Sequence, residues 1–118
     1  MFRLTRRKAI DFFRELWQFL AETGKEKTDW PRWKYNSGDI PTMAWDCPLC
    51  EYANRWKDKN PSQRDCRCYK GKCLIDWPEC ICILSDNSLY KRWQGSGSII
   101  ERKKLAKMIF ELPETKNI

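Results

Sequence analysis

The alternation of apolar and polar positions is clearest at the two ends of the chain. From Thr5 to Glu22, residues Ala9, Phe12, Phe13, Leu16, Trp17 and Leu20 recur at the i, i+3, i+4, i+7 spacing of an amphipathic helix. Ile10 and Phe19 widen that stripe to about half the helix surface, and Lys8, Asp11, Arg14, Glu15, Gln18 and Glu22 fill the other side. Gly24 stands where a helix-ending residue belongs. A face this broad is expected to pack on a core, and its polar side is too acidic for a membrane-surface helix. A second helix is predicted over about 99–112. Ser98 and Glu101 have capping-box spacing, Pro113 stops the helix, and Leu105, Met108, Ile109 and Leu112 form one apolar face with Ile99, Ala106 and Phe110 beside it.

Between these helices the periodicity is lost. Residues 25–45 read as a tryptophan-rich loop punctuated by Pro31, Gly38 and Pro41, with Trp33-Lys34-Tyr35 as a short strand before a turn. The three tryptophans of this loop are expected to pack on the first helix. Glu51 to Lys57 has the character of a short helix ended by Asn60-Pro61-Ser62, and Ser88 to Trp93 that of a single helical turn. Gln94-Gly95-Ser96-Gly97 reads as a flexible joint. The pattern predicts a mainly α-helical single domain over 1–118, in which N- and C-terminal helices pack around an irregular centre.

What holds that centre is suggested by the cysteines. The chain has seven of them and no histidine, all seven between Cys47 and Cys82. The N-terminus starts basic, but Asp11, Arg14 and Glu15 interrupt any signal-peptide core, and no apolar run approaches transmembrane length. The expected compartment is therefore the cytosol, where thiols stay reduced and clustered cysteines point to metal rather than disulfides. Zinc takes four soft ligands in a tetrahedron, and two cysteines separated by two residues can turn both sulfurs onto one ion. Cys47-Pro48-Leu49-Cys50 has that form.

The second ligand pair must come from Cys66, Cys68, Cys73, Cys80 and Cys82. Seventeen residues separate Cys50 from Cys68, a ribbon-type spacing, but four rather than two separate Cys68 from Cys73. The set Cys47, Cys50, Cys73 and Cys82 is the leading assignment, with Cys68, Cys80 and Cys66 as alternates. Three other readings compete: a thioredoxin-type redox pair, which lacks the preceding strand it needs; buried cysteines acting as small apolar groups; and a disulfide formed by oxidation between Cys66 or Cys68 and Cys80 or Cys82.

Charge narrows the partner. Lysine and arginine outnumber aspartate and glutamate 23 to 16, a formal charge of +7. Four zinc-bound thiolates add −4 and the ion +2, which leaves the protein basic at +5. Basic residues Arg55, Lys57, Lys59, Arg64, Arg67, Lys70 and Lys72 interleave with Trp56 and Tyr69, a strip able to track phosphates while a ring stacks on a base. Arg102, Lys103, Lys104 and Lys107 on the second helix extend the candidate surface. A solvated loop face with Trp56 in the core accounts for the same pattern. Enzymatic chemistry is disfavoured: without histidine the commonest general base is missing, no Ser–His or Cys–His pair can form, and Asp76 and Glu79 lie between expected zinc ligands.

The order of several segments resembles that in a group of small cysteine-rich, zinc-binding-like proteins encoded by tailed bacteriophages. These are Lys27-Thr28-Asp29-Trp30-Pro31-Arg32-Trp33, Cys47-Pro48-Leu49-Cys50-Glu51-Tyr52, Cys73-Leu74-Ile75-Asp76-Trp77, Cys82, Tyr90-Lys91-Arg92-Trp93 and Leu105-Ala106-Lys107-Met108-Ile109. Where that group has Cys-x-x-Cys-Pro, this chain has Lys70 and Leu74 at the outer positions, so the second ligand pair departs from the pattern. The resemblance implies a phage accessory protein in the cytoplasm of an infected bacterium, and it assigns no particular activity, since the group has none assigned. Size and context lead to the expectation of a binder of a host protein or ribonucleoprotein such as a defence nuclease, in the manner of an anti-CRISPR or other counter-defence inhibitor. A zinc-stapled nucleic-acid-binding module is the alternative.

Overall fold

The computed structural model describes residues 4–43, 47–49, 51–52, 75 and 89–114. The first helix, α1 (Arg6–Thr23), forms where the apolar stripe predicts it and is closed at both ends by its own sequence. The Thr5 hydroxyl accepts the Lys8 N–H at 3.2 Å, and Gly24, at φ 71°, donates its N–H to the Leu20 carbonyl at 2.9 Å. Ala9, Ile10, Phe13, Leu16, Trp17 and Leu20 are buried. Each large side chain among them contributes about 1.5–3 kcal/mol by leaving water.

The chain then turns through a short 3-10 segment, Lys27–Asp29, where the Glu26 N–H donates to Asp29 Oδ2 at 3.0 Å. Trp30 and Trp33 follow, and both join the core that α1 builds, their rings meeting edge to face with centroids 5.1 Å apart. The Trp33 indole N–H donates to the Lys27 carbonyl at 2.8 Å, so its polar edge is satisfied although the ring is buried.

The expected strand at Trp33-Lys34-Tyr35 does not form. Trp33 makes one isolated parallel bridge with Ile40, and Lys34–Asn36 is a second 3-10 turn. Ser37 takes φ 71°, and Gly38 lies so close to Arg32 that a Cβ there would fall 2.3 Å from the Arg32 carbonyl. The loop is curled too tightly for a ladder to propagate. Arg32 fastens it to α1: its guanidinium donates to both Glu15 carboxylate oxygens at 2.7 Å and to Asp39 at 2.9 and 3.3 Å.

At the other end lie α2 (Leu89–Gly95) and α3 (Ile99–Phe110). The expected turn before the joint is longer than predicted, so Gln94 and Gly95 belong to α2 and the joint narrows to Ser96 and Gly97. Ser98 caps α3 by accepting the Glu101 N–H at 3.4 Å. The helix ends at Phe110, just short of the predicted boundary. α3 packs on both α1 and α2, which bears out the expectation that the terminal helices meet. A Cβ on Gly24 would lie 2.8 Å from Ile99 Cγ2, so the end of α1 and the start of α3 approach as closely as a glycine allows.

The buried face of α3 differs from the predicted one. Arg102, Leu105, Ala106 and Ile109 are buried, while Met108 and Ile99 are 40% and 62% exposed. The stripe is rotated because Arg102 occupies an inward position, its stem in the packing and its head group held by partners. Ile75 is fully buried and pairs with Glu114 in an antiparallel bridge. Beyond Cys47, Pro48 and Leu49 are buried, and the backbone is helical at Pro48, Leu49, Glu51 and Tyr52. The remainder of the predicted helix up to Lys57 lies outside the described residues. No helix among the described residues is long and apolar enough to cross a membrane.

Candidate zinc ligand and binding surface

Cys47 is the one cysteine among the described residues. It is half-buried, packed against the hydrophobic core, and its carbonyl accepts the Glu51 N–H at 3.0 Å. Leu49, two residues on, is anchored in the core. A half-exposed thiol immediately before a core-anchored helical turn fits the first sulfur of a two-cysteine zinc knuckle. Cys50, Cys66, Cys68, Cys73, Cys80 and Cys82 lie outside the described residues, and no group of three or more potential ligands forms among those described.

The basic strip Arg55, Trp56, Lys57, Lys59, Arg64, Arg67, Tyr69, Lys70 and Lys72 likewise lies outside the described residues. The four basic residues of the last helix are described, and they separate into two kinds. Lys104 and Lys107 are exposed and Lys103 is half-buried. Arg102 points inward and does not belong to the surface. Its guanidinium carbon sits 4.7 Å from the Trp93 ring centroid, and Nη2 reaches Glu26 Oε1 at 3.0 Å and the Lys25 carbonyl at 3.2 Å. The cation therefore joins α3, α2 and the turn after α1.

Next to it is an aromatic cluster. Trp17 meets Trp93 at 4.8 Å and Tyr90 at 6.2 Å, both edge to face, and the Lys27 ammonium donates to Tyr90 Oη at 2.6 Å. These groups tie α1 to α2, and the Arg102 guanidinium over Trp93 ties α2 to α3.

Between α2 and α3 lies a groove of about 490 Å³ lined by Arg92 of α2, Ser98 at the joint, and Ile100, Glu101, Lys104, Leu105 and Met108 of α3. Buried Leu105 forms its floor. Ile100 stands 82% exposed at its rim. Ile100, Lys104 and Met108 recur every four residues and so line up along one side of α3. Among the described residues, Arg92 and Lys104 form no ion pair.

Sequence reasoning missed this groove. Its one signal is the pair Ile99-Ile100 directly after a helix cap, since two adjacent helical positions cannot both face one core. Comparison of the chain with protein-family models, curated proteins and solved structures finds no match.

Proposed function

We propose that this protein is a non-enzymatic binding protein, stapled by a structural zinc ion on four cysteines, that acts by occupying a host protein such as a defence nuclease. The observation that carries the reading is the α2–α3 face. Exposed Ile100 and Met108 flank Lys104 along α3, with Arg92 of α2 lining the same groove, and the two helices are held by the Trp17–Trp93–Arg102 cluster. Clustered exposed aliphatic side chains on a rigid scaffold suit recognition of another macromolecule. The zinc assignment rests on the cysteine spacing and on the setting of Cys47, with Cys50, Cys73 and Cys82 completing the set. Zinc here supplies folding energy and performs no chemistry.

The nucleic-acid reading is less favoured by the described surface. Binding to single strands draws on aromatic faces. Among the described residues, Tyr35 is the aromatic one of the exposed large apolar side chains, and it stacks on Trp33. The test is capture from host lysate followed by reconstitution. The reading expects a stoichiometric complex with one host protein that re-forms from purified components and suppresses that protein's activity. Recovery of nucleic acid alone, lost on nuclease treatment, would favour the alternative and count against it.

A further inference from the structure

From the groove between α2 and α3 we infer the chemistry of the partner: it offers an acidic, amphipathic peptide segment whose apolar side chains seat on Ile100, Leu105 and Met108. This rests on the binding-protein reading and names its site.

Leu105 at the floor and Ile100 and Met108 along α3 are apolar, so the occupant must bring apolar side chains. The charged lining is Arg92 and Lys104 against Glu101, a net positive edge on a protein of formal charge +7, so the occupant must bring acid. Because Ile100, Lys104 and Met108 run along one side of α3, apolar and basic positions alternate down the groove. A segment with acidic residues interspersed among apolar anchors matches that order, as in other helix-in-groove recognition. A second copy of this chain fits poorly, because two such grooves would bring like charges together.

Nothing in the groove is required for the core except Leu105. Ile100 is 82% exposed, and Lys104 is exposed on the solvent side of α3. Substitutions at these two positions therefore test binding without removing structure.

The experiment is selection of binders from a displayed random peptide library of about 15 residues per peptide, long enough for some four helical turns, against the full zinc-supplemented protein. The inference expects winners enriched in aspartate and glutamate interspersed with leucine, isoleucine or phenylalanine at helical spacing. Affinity of a winning peptide should fall at least about tenfold in I100E and in K104E, and should weaken as salt rises. Both variants should keep the thermal unfolding transition of the parent protein.

Winners without acidic residues, an absence of winners, or winners indifferent to I100E and K104E would overturn the inference. So would self-association abolished by I100E, or displacement of the peptide by a single-stranded oligonucleotide whose binding also depends on Lys104. If the peptide results fail while the reconstituted host complex forms normally, the binding-protein reading stands and this groove is not its site.

Discussion

The guanidinium of Arg102 lies 4.7 Å from the centroid of the Trp93 ring, and its Nη2 reaches Glu26 Oε1 at 3.0 Å and the Lys25 carbonyl at 3.2 Å. A charged side chain thus occupies the position on α3 that an aliphatic residue would be expected to fill. Its burial is offset by three kinds of partner: a ring face, a carboxylate and a backbone oxygen. Because Trp93 also packs on Trp17, one contact chain runs from α1 through α2 to α3.

R102A is expected to destabilise the protein by about 2 kcal/mol, combining the lost cation–π contact with lost stem packing. R102K should recover only part of this, since an ammonium cannot lie flat on the ring and reach both oxygens. Urea unfolding at neutral pH measures both.

The glycines give an internally controlled set. G24A places a Cβ 2.8 Å from Ile99 Cγ2 at a left-handed position, and should cost about 1–2 kcal/mol. G38A should cost more, because the conflict at 2.3 Å is with the Arg32 backbone, which cannot swing away. Gly95 has open space around its Cβ position and lies at the end of α2, so G95A should be neutral or stabilise by up to about 1 kcal/mol. Thermal unfolding should rank G38A as the least stable of the three, G24A next and G95A the most stable.

The loop clamp makes a pH prediction. Hydrogen bonding to Arg32 holds the Asp39 carboxyl below its ordinary value. The folded state therefore binds this proton less readily than the unfolded chain does. The resulting stability is fully present above the unfolded aspartate value of about 3.9 and is lost as pH falls through the lower folded value. D39N should flatten that acid limb and leave the neutral-pH profile nearly unchanged, as the pair is exposed. Denaturant unfolding across acidic pH, with an NMR titration of Asp39, tests both parts.

How much of this was legible from the residues follows their physics. α1 could be read almost to its ends because one broad apolar stripe coincides with a threonine cap and a glycine stop. The limits of α3 were readable from Ser98 and Pro113, but its buried face was not. Arg102 carries the pattern of a wet residue, and only tertiary partners on α2 and after α1 turn it inward. The strand at Trp33 failed for a local reason: the tight return at Ser37 and Gly38 leaves room for one bridge. The groove escaped notice because it arises between two helices, and periodicity describes one helix at a time. Of the cysteine centre, Cys47 alone falls among the described residues, half-buried before a core-anchored turn, and the other six cysteines lie outside them.

Loss of the first knuckle should be more damaging than loss of a supernumerary thiol. C47S and C50S should each abolish stoichiometric zinc and lower the unfolding temperature sharply, whereas serine at Cys66 should leave zinc content intact. Equal losses at all seven cysteines would contradict the assignment of four ligands.

The most direct test of the account is elemental analysis of the protein purified under reducing conditions, coupled to unfolding measured with and without a chelator. The account predicts about one zinc per chain, removed by chelation together with much of the cooperative transition, and restored with it when zinc is returned. A metal-free protein that unfolds cooperatively and is indifferent to chelator would contradict it.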